Sequence, residues 1–266
     1  MTTLTPENRI DAASRTVPPR GGLNVTLLRI ELRRVLRNRR TMIFTLLMPV
    51  AFYFAFGNAE YGDDRLGAGN YAAYSVISFA LYGAMVATTS AAASVSVERS
   101  QGWSRQLRLT PLSGFAYITV KVVAAMVLGL LPVALVYAVG QTGKAEMPGS
   151  AWITSAVLVW AGALMFAAFG LFMGYLLPTE NAMQVIGPLM AFLAFGGGIF
   201  YPYPAMGSTM QHVAQLTPMW GVSMMAHLPL TAEGVQAWQW ALNIVVWLTI
   251  FVGGAVWRFR RDTRRV

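Results

Sequence analysis

The chain has 266 residues, of which 56% are hydrophobic and 12% charged, and a mean hydropathy of +0.51. Soluble domains carry roughly 25% charged residues, so composition argues against a water-soluble globule and for a lipid solvent. The absence of cysteine excludes disulfides and thiolate metal sites, and His212 and His227 alone are too few for an imidazole-rich one.

Residues 1–22 are polar, with Pro18, Pro19, Gly21 and Gly22 and no apolar core of a signal peptide; they read as a disordered cytoplasmic tail. Residues 23–40 predict an amphipathic interfacial helix. Val25, Leu28, Leu32 and Val35 recur at helical spacing, and Arg29, Arg33, Arg37 and Arg40 form a neighbouring stripe. Two readings stand: a juxtamembrane anchor with arginines on lipid phosphates, or an elbow helix framing a partner's docking site.

Residues 41–257 hold six apolar stretches long enough to be read as membrane-spanning helices. They are Thr41–Gly57 with a kink expected at Pro49, Tyr71–Val97, Phe115–Gly140, Ala151–Leu177 ended by Pro178, Met183–Tyr203 and Trp238–Trp257. Between the last two, residues 204–237 are apolar but broken by Pro204, Gly207, Pro218 and Pro229; a re-entrant hairpin of two short helices over 204–230 is expected. Residues 258–266 are a basic tail.

Charge fixes the orientation. Of the 20 basic residues, 18 fall in residues 1–40, 98–114 and 258–266 or at Lys121, and only Arg65 and Lys144 fall elsewhere. Those segments are read as cytoplasmic, with both termini inside and the chain in the plasma (inner) membrane. The same bias accounts for the net charge of +9 without nucleic acid.

Several chemistries lack their residues. Gly140–Ala145 is a poor phosphate loop: the first glycine is missing at the right distance, and Ala145 stands where a magnesium-binding hydroxyl is needed. No carboxylate is expected within a span; Glu98 and Glu180 are read at water-accessible ends, so proton coupling has no obvious carrier. Gly221-Val222-Ser223 with His227 four residues on has the outline of a nucleophile and base, but Ser223 as a turn cap and His227 at the headgroups explain it as well. No catalytic or metal-binding residue is assigned.

The informative segment is 98–111, from Glu98 and Arg99 through Gly102, Trp103, Arg105, Gln106, Leu107 and Arg108 to Thr110 and Pro111. Trp103 and Leu107 give a short apolar face beside Arg105 and Arg108. By physics alone it is a basic loop, or a short helix tethered to two spans that a partner can push as a lever. Its Glu98, Arg99, Gly102, Leu107, Thr110, Pro111 and Leu112, with Lys121 beyond, resemble the coupling-helix region of ABC type 2 exporter permeases, of the daunorubicin-type drug exporter kind. Gly197-Gly198-Ile199-Phe200-Tyr201-Pro202 followed by Leu216-Thr217-Pro218 resembles that family's block after the fifth span. Trp103 replaces the commoner small hydroxyl residue, and Gly207 stands where a second proline is common.

The resemblance implies an all-α permease with six transmembrane helices, an elbow helix and a re-entrant outer hairpin. It implies a partner ATPase that carries ATP and Mg²⁺, a second permease copy (identical or not), and ATPase contact through Glu98, Arg99, Gly102, Trp103, Arg105, Gln106, Leu107 and Arg108. The expected activity is export of an amphipathic small molecule, drug or lipid-like substrate. A membrane scaffold or sensor that binds an ATPase without transport, or a carrier of another class, is the alternative. Thr88 and Ser94 line a polar pathway or make interhelical hydrogen bonds; Phe192, Phe195, Phe200 and Tyr201 form a gate or an interfacial belt. Gly170 and Gly174 make a G-x-x-x-G seam, within the chain or between copies.

Overall fold

The computed structural model describes residues 25–57, 60–102, 112–177, 179–231 and 236–264. Helix α1 (Val25–Leu36) presents Leu28, Leu32 and Val35 inward, while Val25 at its start is exposed, unlike the expected stripe. Asn38 then caps α2 (Arg39–Phe52) by accepting from the Thr41 amide, and the chain bends by 66° between the two helices. Pro49 has no amide hydrogen to continue the helical ladder. Four residues on, α2 passes into a π-helical turn, Tyr53–Gly57, so the expected kink takes the form of a widened turn.

A short antiparallel ribbon follows, β1 (Arg65–Leu66) and β2 (Gly69–Asn70), which the helix-only reading did not foresee. Gly67 supplies its positive φ of 59°. Asn70 locks the ribbon to two other segments. Its Oδ1 caps α3 (Tyr71–Ala93) through the Ala73 amide and also accepts from the Glu146 amide, while its Nδ2 donates to the Lys144 carbonyl.

Helix α3 is the central element. Its second half, from Gly83, is mostly Ala, Ser and Thr, and lipid gives apolar residues no reason to hide, so close backbone approach does the packing there. It lies against α5 (Gly114–Thr142) and α6 (Gly149–Leu176). At Gly170 of α6 an added Cβ would stand 2.5 Å from the Thr89 carbonyl oxygen, and at Gly174 3.0 Å from that of Ala93. The G-x-x-x-G seam therefore packs within the chain. Gly83 of α3 sits between Pro49 and Pro132 in the same way.

After a break at Ser94, α4 (Val95–Ser100) prolongs the α3 direction toward the coupling segment. Helix α7 (Thr179–Gly196) ends well before the expected Tyr203, because Gly197 and Gly198 leave the helix and Gly198 takes φ 87°. The hairpin then follows: α8 (Ser208–Gln215) and α9 (Pro218–His227), the latter capped by Thr217 with Pro218 in its first turn. Helix α10 (Ala237–Arg264) carries the basic tail as a continuous helix through Arg264.

Among the described residues, four helices are long and apolar enough to cross a membrane: Tyr71–Ser100, Gly114–Thr142, Gly149–Leu176 and Ala237–Arg261. Counting the bent pair α1–α2 as one span makes five. The fifth predicted stretch keeps only a shorter apolar helix, Gln184–Gly196.

Candidate functional site

The coupling segment starts in α4, and its first residues are anchored. Glu98 is 4% exposed, not water-accessible as expected. Its carboxylate pairs with Lys121 of α5 and Arg34 of α1, and it accepts from the Tyr117 hydroxyl. Lys121 Nζ also donates to Glu31 Oε1 of α1 at 2.7 Å, and Arg34 donates to the same oxygen at 2.7 Å. Two carboxylates and two cations thus close a neutral square between α1, α4 and α5. Glu31 (8% exposed) and Lys121 (3%) are as enclosed as Glu98, while the Arg34 side chain is 44% exposed.

Sequence reasoning passed over Glu31, Arg34 and Tyr117. A signal existed: Glu31 falls inside the apolar stripe of Leu28, Leu32 and Val35, and an acid on a buried face needs a buried cation. Lys121, a lone cation in an apolar span, is its counterpart. Ser94, a pathway candidate, accepts from Arg34 Nη2 at 3.2 Å and donates to the Ala91 carbonyl, so it belongs to this square's edge.

Arg99 points the other way. Its guanidinium donates to the carbonyls of Gly174 (3.1 Å) and Tyr175 (2.9 Å) and lies over the Tyr175 ring. Arg258 of α10 reaches the carbonyls of Tyr175 and Leu176. Both arginines meet the last carbonyls of α6, which have no partner in the helix ladder and carry its negative dipole end. Gly102 adopts φ 72° just past α4, with its amide bonded to the Arg99 carbonyl, the left-handed helix stop that glycine makes without strain. Trp103, Arg105, Gln106, Leu107 and Arg108 lie outside the described residues, as does the Arg40 side chain. Arg29 and Arg33 are exposed along α1, and Arg37 is exposed in the turn after it, so the helix expected over 23–40 stops at Leu36.

Thr88 is fully buried and donates to the Ala84 carbonyl of its own helix at 2.8 Å, whereas Thr89 reaches across to the Phe166 carbonyl of α6 at 3.3 Å. Phe200 is the hub of an aromatic cluster. Its ring contacts Phe52, Phe56, Phe79 and Tyr82, and it stacks on Phe195 at 4.4 Å. Phe192, Phe195 and Tyr201 remain exposed beside it.

At the hairpin, His227 Nδ1 lies 2.8 Å from the Ser223 carbonyl oxygen and 3.5 Å from Ser223 Oγ. Nε2 faces the Ser78 hydroxyl at 3.1 Å and the Tyr74 carbonyl oxygen at 3.3 Å, so each ring nitrogen meets a carbonyl; the shorter Nδ1 contact assigns the proton to Nδ1, with Nε2 accepting from Ser78. A nitrogen already protonated toward a carbonyl is not a base for the Ser223 hydroxyl, and both side chains are sealed from solvent. Tyr74 stacks on the His227 ring at 4.1 Å and donates its hydroxyl to the Gly198 carbonyl at 2.5 Å, tying α3 to the segment after α7.

These features describe a membrane subunit of apolar helices whose charged base continues into a tethered segment. Residues 23–227 match the family ABC-2 type transporter, and the chain belongs to that family. A relative in Bacillus subtilis (strain 168), named "Putative transport permease YvfS", is 29% identical over 226 residues, covering 84% of this chain and 91% of the relative. The chain is a multi-pass membrane protein and the membrane subunit of a transporter, of a family that generally works with an ATPase subunit.

Proposed function

We propose that this chain is the permease half of an ABC exporter, driven by ATP that a separate ATPase subunit binds with Mg²⁺. Six crossings of the plasma membrane come from α2 with its π turn, α3–α4, α5, α6, α7 with the segment after it, and α10. Both termini are cytoplasmic, in keeping with the arginines of α1 and of the α10 end. Helix α1 is the elbow; its Arg29 and Arg33, Arg37 in the turn after it and Arg40 at the start of α2 meet lipid phosphates. A second copy, identical or related, completes the pathway beside the aromatic gate of Phe192, Phe195, Phe200 and Tyr201. The cargo is an amphipathic small molecule, drug or lipid-like compound.

The observation that carries this reading is the anchoring of α4. Through Glu98 it holds α1 and α5, and through Arg99 it holds the end of α6. A displacement imposed on 98–111 by an ATPase would therefore reach three other helices at once. ATP acts only if it favours one of two arrangements, and such a junction gives it something to favour. Glu98 and Arg99 then position the lever, while Gly102, Trp103, Arg105, Gln106, Leu107 and Arg108 are left to meet the ATPase.

Affinity purification of the tagged chain in mild detergent, from cells co-expressing its neighbouring genes, tests this. An ATP-binding chain co-purifies, and its hydrolysis rises with substrate. Purification without an ATPase sinks the exporter reading. A bound ATPase indifferent to every transported compound favours the scaffold or sensor instead.

A further inference from the structure

Three buried polar atoms sit where the α8–α9 hairpin meets the start of α10. Trp220 Nε1, Trp240 Nε1 and Asn243 Oδ1 have no hydrogen-bond partner among the described residues. A chain of contacts places them in one neighbourhood. Trp240 packs on the small cluster of Tyr203, Met206, Ala214 and Trp220. The Tyr203 and Trp220 rings are 5.8 Å apart, and Gln215 Nε2 donates to the Tyr203 hydroxyl at 2.7 Å. The Gln215 carbonyl accepts from Asn243 Nδ2 at 2.8 Å, and Asn243 Oδ1 lies against Gly221, next to Trp220. The amide orientation of Asn243 is fixed, because Nδ2 donates to the Thr217 carbonyl as well; exchanging its nitrogen and oxygen would oppose oxygens.

The chemistry of these atoms narrows what answers them. An indole N–H only donates and an amide oxygen only accepts. A hydroxyl group does both, and a head bearing two hydroxyls answers all three atoms. Tyr203, Trp220 and Trp240 pack in the same cluster. Their neighbours along the chain are apolar and exposed, Leu216 by 74%, Trp238 by 60% and Leu242 by 53%. Exposed apolar residues beside unpartnered polar atoms suit a molecule with a polar head and an apolar body.

We propose that this junction binds the hydroxylated head of an amphiphile, whose apolar body runs along Leu216 and Leu242. The source is either a bilayer lipid or the transported molecule, and the two share this chemistry. Only the second source rests on the exporter reading above.

The test is native mass spectrometry of the purified full chain with two added lipids. Phosphatidylglycerol carries head hydroxyls; phosphatidylmethanol has the same charge and chains without them. The wild type prefers phosphatidylglycerol by about tenfold, the scale of a pair of neutral hydrogen bonds. The double variant Trp220→Phe/Trp240→Phe keeps an aromatic ring at each position, removes both donors and loses that preference. If it is unstable, each single variant loses part of it. A wild type that does not discriminate, or a variant that discriminates equally, overturns the site and leaves these atoms to water. Amphiphiles that co-purify with the wild type and not with the variants then name the source: a phospholipid assigns the site to the bilayer, any other amphiphile to the cargo, and none overturns the proposal. Because binding is read without an ATPase, failure of the exporter reading is seen separately.

Discussion

Lys121 Nζ donates to Glu31 Oε1 across 2.7 Å, and the same ammonium pairs with Glu98, so one buried lysine joins α5 to both α1 and α4. Charges this enclosed hold only while all partners remain. Each is costly to bury alone, and the square is neutral as a whole.

The two cations of the square differ in burial, and the difference is measurable. Lys121→Met leaves Glu31 and Glu98 with only the half-exposed Arg34 to share and is expected to cost about 3–5 kcal/mol, the usual range for a broken buried pair. Arg34→Met also leaves one buried carboxylate charge in excess, but water partly takes the place of a side chain that is 44% exposed, so it is expected to cost less than Lys121→Met. Thermal unfolding of the two variants in detergent checks the ranking; equal losses would mean that the buried lysine is not the keystone.

Gly102 is constrained by its backbone. Its φ is 72°, and among the described residues nothing lies within 4 Å of an added Cβ. Gly102→Val should cost roughly 1–2 kcal/mol of local backbone strain, and Gly102→Asn less, because asparagine visits the left-handed region more readily. ATPase-coupled activity is expected to fall in the order glycine, asparagine, valine. Valine performing as well as glycine would show that the turn after α4 does not matter.

Gly170→Leu and Gly174→Leu should damage folding of the single chain before they affect association. Both glycines face the α3 backbone, where a side chain has no room. Size-exclusion profiles and membrane abundance read this out. A well-folded monomer that fails only to assemble would instead place the seam between copies.

Ser223→Ala should leave every activity unchanged, since the His227 proton is committed to the Ser223 carbonyl and not to its hydroxyl. Tyr74→Phe keeps the ring stack but removes the bond to the Gly198 carbonyl, at an expected cost of about 1 kcal/mol. Cysteines introduced one at a time near Tyr201, in a chain that has none, should label faster in the Tyr74→Phe background. Unchanged labelling would show that this bond does not hold the segment after α7.

Much of the fold was legible because lipid imposes long apolar runs: α3, α5, α6 and α10 fall close to the expected stretches. The fifth stretch was read too long, because hydropathy alone does not register that Gly197 and Gly198 leave the helix. The β1–β2 ribbon was missed because two-residue strands have no periodicity to see. In the site, Glu98, Arg99 and Gly102 were visible through their family pattern, but their roles were not. Whether a carboxylate at the end of a span meets water or Lys121 depends on which helix packs beside it. Glu31 was legible in principle, as an acid on an apolar face, and only its partner needed the fold.

The most direct measurement is transport per ATP hydrolysed, in proteoliposomes holding the chain with its ATPase, for wild type and Glu98→Gln. Glutamine keeps the shape of Glu98 and removes the charge that Lys121 and Arg34 share. The account predicts that the variant reaches the membrane, still binds the ATPase and hydrolyses ATP, but moves far less substrate per ATP. A Glu98→Gln protein that transports with the wild-type ratio would contradict the claim that this buried square carries motion from the coupling segment into the helices.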